Sequence, residues 1–344
     1  MAAGARADAV RVGIVGAGWA ANEHSKTLAR LDGVTIAGFA DPDVMRAKEL
    51  AARYGATHHA TAGSLIAAEA LDAVVVATPP GAHREAAVEA IEAGLAVFLE
   101  KPISRSLEDA TLIAAAAEAA RTVCAVGYQW RAISALDSLA AVLEDDDVRQ
   151  IVSEGIGITQ ARSWFSNAAL SGGLISERGS HHIDLQRAVG GEIVSVQAAG
   201  SRLVTQGLGH ASDLATGTET GVAMTLHFAS GALGIVHVLW VPETYPSRHR
   251  LTVFGSTSMY ELDLDPVFSL RRDSGKPVLP DPAGEHPFAI GLIRFVDAAR
   301  RHDPAGVICS PREAASTLAV VVACEHALVS GDTVPVEPLT GIAG

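Results

Sequence analysis

The sequence predicts a two-domain protein with an α/β domain first and an α+β domain second. The N-terminal domain would carry a doubly wound, mostly parallel sheet, and the C-terminal domain a large, mostly antiparallel sheet. The chain has 344 residues, which is more than one average hydrophobic core supports. Strand and helix patterns alternate early in the chain, whereas strand patterns follow one another directly after about residue 150. We place the two domains at residues 1–128 and 129–344.

Short apolar runs supply the strands of the N-terminal domain. Ala-rich and amphipathic helical patterns separate these runs. Buried strands that alternate with helices are typical of βαβ units and of a parallel sheet. The runs lie at residues 10–16, 34–41, 73–80, 95–102 and 122–128.

The C-terminal half has a different texture, with strand candidates joined by short linkers rich in Gly and Ser. The candidates are "SVQAAGSRLV", "GVAMTLHFAS", "ALGIVHVLWV", "RHRLTVFGS" and "SMYELDL". Successive strands with short connections indicate an antiparallel sheet. Two helices are expected near the end of the chain, at about 288–301 and 311–329.

Composition excludes several classes of protein. Hydrophobic residues make up 49% and charged residues 19% of the chain, which is typical of a globular protein. The net charge of −13 argues against nucleic-acid binding. The cysteines Cys124, Cys309 and Cys324 form no disulfide or metal-binding spacing. No signal peptide or run of about 20 apolar residues is evident, so we expect a cytoplasmic protein without a membrane segment.

A glycine-rich stretch after the first strand predicts a phosphate-binding loop. "GIVGAGWAA" places Gly16, Gly18 and Ala21 in a G-x-G-x-x-A spacing between a strand and a helix. The first glycine permits a tight turn, the second admits a pyrophosphate, and the small third residue permits close helix packing. Asp41, at the end of the second strand, can bind the ribose hydroxyls. The alternative is a plain glycine turn followed by a turn aspartate.

This loop indicates a Rossmann domain that binds NAD, with NADP less favoured because Asp41 would repel a 2′-phosphate. Arg46 lies one helical turn further on and could weaken that preference. Thr78, Pro79 and His83 follow the next buried strand and should border the cofactor, although His83 could equally be a surface residue. The full set expected to bind the cofactor is Gly16, Gly18, Trp19, Ala20, Ala21, Asp41, Arg46, Thr78, Pro79, His83, Glu100 and Lys101.

Lys101 is the first candidate catalytic residue. "FLEKP" ends a buried strand, and strand ends of a parallel sheet line the ligand crevice. A lysine there could hold a substrate oxygen and stabilise its negative charge. The alternative is an ordinary ion pair between Lys101 and Glu100.

Together these segments resemble the Gfo/Idh/MocA oxidoreductases, named after glucose–fructose oxidoreductase and inositol dehydrogenase. The matching pieces are "GIVGAGWAA", "FADPD", "ATPPGAH", "EKP", "VGYQWR" and "SGGLISERGSHHIDL", in the family's order. The resemblance implies a bound NAD or NADP and a sugar, inositol or related polyol as substrate. It also implies a C-terminal sheet that often forms a dimer or tetramer interface, so we expect a homodimer or homotetramer.

The last of these segments, residues 171–185, carries the second group of candidate catalytic residues. The family pattern matches Glu177, His181 and Asp184, with glutamate where aspartate is common. Glu177 would bind substrate or orient His181. A secondary alcohol needs a base for its proton, and imidazole suits that task near neutral pH. His181 and Asp184 share a helix face, whereas His182 is turned about 100° away and should be a packing or surface residue.

Two questions about this segment stay open at the level of sequence. Asp184 could orient His181 or pair with Arg187. The cluster could bind zinc, although hydride transfer needs no metal and no other Cys/His cluster supports one, so we predict no metal. The further substrate-binding candidates are Tyr128, Arg131, Trp164 and Asp184.

The leading hypothesis is an NAD(P)-dependent dehydrogenase that acts on a secondary alcohol of a sugar, inositol or cyclic polyol. One alternative is a lyase or glycosidase that oxidises a sugar carbon transiently. Another, from a different class, is a non-catalytic NAD-binding sensor, against which Lys101 and His181 argue.

Overall fold

The structure is a computed structural model. It describes residues 9–158, 171–201, 219–241, 244–265, 268–273, 275, 277–280 and 285–339. Its contacts divide the chain into two compact units. Among the described residues, the first unit holds those up to 129 and 286–315. The second unit holds those within 130–285 and 316–339.

The first unit contains a six-stranded sheet. Its strands are β1 (Val10–Val15), β2 (Val34–Ala40), β3 (Thr57–His59), β4 (Ala73–Val76), β5 (Ala96–Leu99) and β6 (Cys124–Val126). Every pairing is parallel and the order is β3-β2-β1-β4-β5-β6. The strand order runs outward from β1 to β3 on one side and from β4 to β6 on the other, which is the doubly wound arrangement. The predicted fold class of this domain is therefore confirmed. The short strand β3 was not predicted.

The second unit contains a nine-stranded sheet. Its strands are β7 (Val148–Ile158), β8 (Ile193–Ser201), β9 (Gly221–Phe228), β10 (Leu233–Val241), β11 (Arg248–Gly255), β12 (Met259–Asp265), β13 (Ser269–Arg272), β14 (Pro277–Pro280) and β15 (Val334–Pro335). The order is β14-β13-β12-β11-β7-β10-β9-β8-β15, and only the β7–β10 pair is parallel. The predicted mostly antiparallel sheet is confirmed.

The α-helices of the described chain flank these sheets. They are α1 (Trp19–Leu28), α2 (Val44–Tyr54), α3 (Ala62–Ala68), α4 (His83–Glu92), α5 (Leu107–Ala120), α6 (Ser134–Leu143), α7 (Ser180–Gly190), α8 (Pro287–Arg301) and α9 (Pro311–Ser330). In the second unit α7 packs on β7 and β10. The buried residues of β7 alternate, at Ile151, Ser153, Gly155 and Gly157, as expected for a strand with one covered face.

The position of α8 differs from the domain division made from sequence. Residues 286–315 group with the first unit, although the sequence analysis assigned them to the C-terminal domain. The reason is the apolar face of α8, where Leu292, Phe295 and Val296 are fully buried in the same core as Ile14 and Phe39. A distant segment therefore completes the core around the parallel sheet, which a boundary drawn along the sequence misses.

Helix α9 is long and apolar. It has 20 residues and a mean hydropathy of 1.3, enough to span a membrane by length and composition alone. Arg312, Glu313 and Glu325 interrupt the apolar residues of the helix. About 56% of the apolar stretch is buried within the chain, and a core helix passes the same test.

Candidate active site

The turn between β1 and α1 has the geometry expected of a phosphate-binding loop. Gly16 has a φ of +99°, and a Cβ atom there would lie 2.6 Å from the carbonyl oxygen of Ala77. Its N–H donates to the carbonyl of Ala40 at 2.7 Å. Only glycine meets both the conformational and the steric demand at this position.

Gly18 and Ala21 provide the space that the cofactor requires. A Cβ atom at Gly18 would meet nothing within 4 Å, and no side chain caps the N-terminus of α1. Ala21 is fully buried, which is consistent with close packing of the helix. The loop therefore offers an open cradle and free helical N–H donors, as a pyrophosphate requires, and the residues fit a dinucleotide.

Asp41 is oriented by the backbone around it. Its Oδ2 atom accepts the N–H of Ala17 at 2.8 Å, and Oδ1 accepts the N–H of Asp43 at 2.8 Å. A carboxylate oxygen can accept more than one hydrogen bond, so both oxygens retain capacity for ribose hydroxyls. The turn thus holds the carboxylate in place beside the glycine loop.

Arg46 is committed to a neighbour. Its Nε donates to Asp43 at 2.8 Å, and this bond lowers the pKa of the Asp43 carboxyl. Arg46 also lines a cavity of about 260 Å³ together with Trp19, Asn22 and Arg53. The cavity lies between the first turn of α1 and helix α2.

His83 is part of the scaffold under the strand ends. The side chain is fully buried, so the surface alternative is wrong. Its Nε2 lies 2.9 Å from the carbonyl oxygen of Thr78, and its Nδ1 lies 3.2 Å from that of Ile103. Burial lowers the pKa of the imidazole despite these carbonyls. Thr78 and Pro79 are then the groups that this loop can present to a cofactor.

Lys101 follows the end of β5 and is partly buried. The N–H of Lys101 donates to the Oε2 atom of Glu100 at 3.2 Å, and the peptide bond to Pro102 is cis. The Oε1 atom of Glu100 lies 2.7 Å from Nε2 of His24. Burial alone would raise the pKa of Glu100, but the bond to His24 and the charges of His24 and Lys101 outweigh it and the pKa is lowered. Glu100 is therefore ionised beside the lysine.

In the second unit, the predicted catalytic segment contains a wide helical turn. Residues Ile175–Gly179 form a π-helical turn that leads into α7, and π-turns are frequent at functional sites. The turn carries Glu177, which is 9% exposed. Next to it on α7, His181 is partly exposed while His182 is fully buried. The predicted difference between the two histidines is therefore present in their burial.

Asp184 has other partners than those expected from sequence. Arg131 donates to its two carboxylate oxygens through Nε and Nη2, each at 2.8 Å, and Thr317 Oγ1 donates to Oδ1 at 2.9 Å. Arg187, which the sequence offered as one alternative partner of Asp184, bonds Glu192 and Thr317. The bidentate Arg131–Asp184 pair ties the segment after β6 to α7 because its geometry fixes both groups.

A chain of polar side chains next to His181, formed by the buried His182 and the partly buried His249 and Arg178, was not found from sequence. Arg178 Nη1 lies 3.1 Å from His249 Nε2, and His249 Nδ1 lies 3.3 Å from His182 Nε2. Arginine can only donate, so Nε2 of His249 accepts and its Nδ1–H donates to His182. Burial and the nearby charge of Arg178 lower the pKa of His249 to about 3. Burial, with smaller effects from His249 and Arg178, lowers the pKa of His182 well below its usual value.

Two features of the second unit enclose this chain. The Trp130 ring lies 5.2, 4.7 and 5.2 Å from the rings of His181, His182 and His249. A Cβ atom on Gly155 would lie 2.4 Å from His182, and one on Gly157 would lie 2.5 Å from Arg178. These two glycines of β7 leave the space that the polar chain occupies. No sequence motif indicates His249, because it lies on β11, 67 residues from His182.

The remaining predicted residues have separate outcomes. Tyr128 is 1% exposed and belongs to the first unit. Ala20, expected at the cofactor, is partly buried in the first turn of α1. Trp164 lies outside the residues that the structure describes. Within the described part of the chain, no group of three His, Cys, Asp or Glu side chains is placed to hold a metal.

Comparison with known proteins gives two family matches. Residues 10–128 match the description "Oxidoreductase family, NAD-binding Rossmann fold", and residues 147–261 match the GFO/IDH/MocA C-terminal domain. The two matches together span more than half of the chain.

Individual relatives agree with this assignment. The rhizopine catabolism protein MocA of Rhizobium meliloti is 27% identical over 322 residues, 90% of this chain and 92% of the relative. Inositol 2-dehydrogenase 2 of Saccharopolyspora erythraea is 26% identical and covers 95% and 96%. Levoglucosan dehydrogenase, solved with NADH and L-sorbose, shares the fold at a TM-score of 0.82 with 19% identity, covering 96% of this chain and 100% of that one. The chain is therefore an NAD-binding oxidoreductase that belongs to the GFO/IDH/MocA family.

Proposed function

We propose that this protein is an NAD-dependent dehydrogenase that interconverts a secondary alcohol and a ketone on a sugar, an inositol or a related cyclic polyol. The observation that carries the proposal is the edge of the parallel sheet in the first unit. The glycine loop, Asp41 and Lys101 each follow the carboxyl end of a parallel strand of that one sheet. A cation at the edge that binds the dinucleotide is suited to an oxygen that gains negative charge.

Lys101 has the role of electrostatic stabiliser in this proposal. Its ammonium would hold the reacting oxygen and stabilise alkoxide character in the transition state. Glu100 keeps the backbone of Lys101 in place through the 3.2 Å hydrogen bond described above. The ammonium is a compact charge with three donors on a flexible stem, so it can follow an oxygen as its charge develops.

His181 has the role of general base. Its imidazole is partly exposed, whereas the neighbouring His182 is sealed in the Arg178–His249 chain. A partly exposed imidazole can take the hydroxyl proton of the substrate as a general base. Glu177, in the π-turn one helical turn earlier, would bind a substrate hydroxyl or orient His181. Tyr128, Arg131, Trp164 and Asp184 remain the proposed substrate-binding and supporting residues.

The cofactor supplies the redox chemistry, since bound NAD accepts hydride from the substrate carbon or returns it. The residues proposed to hold it are those of the glycine loop, Asp41 and the Thr78–Pro79 turn. Asp41 favours NAD because its carboxylate bonds a free 2′-hydroxyl and repels a 2′-phosphate.

The names of the relatives support the substrate class. Inositol 2-dehydrogenase 2 covers nearly the whole chain, and levoglucosan dehydrogenase was solved with a sugar. Inositols and sugars share a ring of secondary hydroxyls, and each hydroxyl needs a polar partner on the protein. A buried carboxylate at Glu177 can accept such a hydroxyl.

We further propose that the enzyme is a homo-oligomer that associates through the sheet of the second unit. Ile158 and Phe254 lie on the face opposite α7 and are 39% and 37% exposed. Light scattering coupled to size exclusion should give a dimer or tetramer, and a monomer at micromolar concentration would contradict this part.

The proposed activity is tested by incubating the purified enzyme with NAD and a panel of inositols, monosaccharides and anhydrosugars. Formation of NADH, followed by its absorbance, supports a dehydrogenase. Consumption of a sugar without net NADH would indicate transient oxidation by a lyase or glycosidase. Binding of NAD without any turnover across the panel, in either direction, would favour a sensor.

A further inference from the structure

The buried histidine of α1 lies against the candidate catalytic turn, and no motif of the sequence analysis includes it. His24 is fully buried, and its Nε2 lies 2.7 Å from Oε1 of Glu100. We infer that His24 is a positioning residue that holds the Glu100 carboxylate and thereby fixes the backbone of Lys101, from which the ammonium reaches the substrate. This inference rests on the role proposed for Lys101.

The ring of His24 is fixed by aromatic neighbours. It stacks on Phe288 with ring centroids 4.3 Å apart and planes 9° apart, and it meets Phe98 edge-on at 5.1 Å. Phe288 comes from α8 and Phe98 from β5, both in the first unit. Rings packed in this way have little rotational freedom, so the direction of the Nε2 atom is set by the core.

The hydrogen bond has a defined polarity. Glu100 is ionised because the bond to His24 and the charges of His24 and Lys101 overcome the effect of burial on its pKa. An ionised carboxylate only accepts, so Nε2–H of His24 is the donor. Nδ1 of His24 is buried and has no hydrogen-bond partner within the described part of the chain. The ring therefore has a single polar attachment there, which is Glu100.

The carboxylate divides its two oxygens between two tasks. Oε1 binds His24, and Oε2 accepts the backbone N–H of Lys101. The N–H of Glu100 donates to Val76 at 2.9 Å, which continues the pairing of β5 with β4. The arrangement links helix α1, strand β5 and the first backbone atoms of Lys101 into one rigid unit.

This arrangement determines which partner neutralises the Glu100 charge. A buried carboxylate that loses a donor is costly, and it turns toward the nearest cation. The nearest side chain in sequence that can serve is the ammonium of Lys101. Without His24, Glu100 would compete with the substrate oxygen for that ammonium. His24 thus keeps the lysine charge for the reaction.

Two substitutions separate this role from simple packing. His24→Phe keeps an aromatic ring between Phe98 and Phe288 but removes the donor. His24→Gln loses the ring but can restore an N–H donor at a similar reach. If His24 only fills space in the core, His24→Phe should keep the higher kcat. If His24 positions Glu100, His24→Gln should keep the higher kcat.

We expect kcat of His24→Phe to fall by about 10-fold or more, less than the 10²- to 10³-fold loss typical of removing a direct electrostatic donor. Its NAD affinity should stay near that of the parent, and its melting temperature should fall less than that of His24→Gln because the aromatic ring is kept. His24→Gln should keep kcat within about threefold although it melts lower. In a Glu100→Gln background, His24→Phe should change kcat by less than about twofold, because the two residues act as one unit.

Several results would overturn the inference. One is a kcat of His24→Phe within twofold of the parent. Another is a loss in both variants that follows their melting temperatures. A third is an additive loss in the Glu100→Gln background. If Lys101→Met also kept its turnover, the proposed role of Lys101 would fail. If only Lys101→Met lost turnover, the failure would concern His24 alone.

Discussion

The two candidate catalytic turns handle charge in opposite ways. In the first unit, Glu100 keeps its charge because His24 and the backbone of Lys101 donate to it. In the second unit, His182 and His249 are kept neutral because they are buried beside the Arg178 guanidinium. One turn therefore stores a fixed negative charge beside a lysine, whereas the other holds the permanent charge of Arg178 beside two neutral histidines.

This difference separates the two expected functions of the turns. The ionised carboxylate of Glu100 favours the charged form of a neighbouring cation. This suits a group that must remain charged throughout the reaction, as proposed for Lys101. The neutral histidines next to His181 suit a base that must change its charge, because their own protonation does not change when His181 takes up a proton. The predictions below test each side of the comparison, from the largest expected effect to the smallest.

The largest effect is expected at the adjacent histidines. His181→Asn should lower turnover by about 10²- to 10⁴-fold, the usual contribution of a general base. The remaining activity should lose its dependence on a group that titrates near pH 6–7. His182→Asn should mainly lower stability, by about 0.5–3 kcal/mol, because its ring is buried. The measurement is a pH–rate profile of both variants, with thermal melts.

Equal losses of turnover in the two variants would mean that the histidines act together. A larger loss in His182→Asn would reverse the assignment.

The next effect concerns the space around the polar chain. Gly155→Ala places a Cβ atom 2.4 Å from Nε2 of His182. Overpacking of this kind costs about 1–3 kcal/mol of unfolding free energy. Gly81→Ala is the matched control, because a Cβ atom there meets nothing within 4 Å and its φ is not positive. Chemical denaturation of the two variants measures the difference, and equal stability would show that His182 can move.

The third effect is a loss of stability in mild acid. His182 and His249 have lowered pKa values in the folded protein, about 3 for His249, whereas an unfolded histidine titrates near 6.5. The unfolded chain therefore binds more protons below about pH 6.5, and stability falls as the pH drops from there toward 3. Each histidine contributes up to about 1.4 kcal/mol per pH unit in that window.

Buried His83 acts in the same direction, so the slope has more than one source. Urea titrations between pH 7 and 5 lie above the range in which ordinary carboxylates protonate. The His249→Gln variant should show a shallower slope there than the parent. An unchanged slope would mean that His249 is protonated in the folded protein.

The smallest effect is expected in cofactor choice. With its two oxygens held by the N–H groups of Ala17 and Asp43, Asp41 presents a fixed negative charge. We expect kcat/KM for NAD to exceed that for NADP by about 10-fold or more, equivalent to about 1.4 kcal/mol. Steady-state kinetics with both cofactors decide this point. A preference for NADP would indicate that Arg46 leaves Asp43 and binds the 2′-phosphate.

The sequence predicted those parts of the site that depend on neighbours along the chain. Gly16 and Asp41 could be found because a tight turn and a strand end are properties of a few consecutive residues. Apolar runs and short linkers likewise predicted the two sheets, although the strands β3, β7, β13, β14 and β15 were not predicted. Glu177 and His181 could be found because their spacing fits one helical segment.

The parts that depend on distant contacts were not predicted. His249 reaches His182 from a strand 67 residues away, and Phe288 reaches His24 from a helix near the end of the chain. Asp184 illustrates the same limit. Its neighbour Arg187 is a natural helical partner, but Arg131 offers a bidentate geometry that a spacing of three residues does not. Burial selects such partners, and burial is a property of the folded chain.

The central claim is that the charge of Lys101 stabilises the reacting oxygen, and Lys101→Met tests it most directly. Methionine keeps most of the length of the side chain and removes the charge. Lys48→Met, at an exposed position of α2, is the control. With any substrate that the parent oxidises, the account predicts that kcat of Lys101→Met falls by about 10²-fold or more while the Kd for NAD and the melting temperature stay unchanged. A kcat within a few-fold of the Lys48→Met control would contradict it.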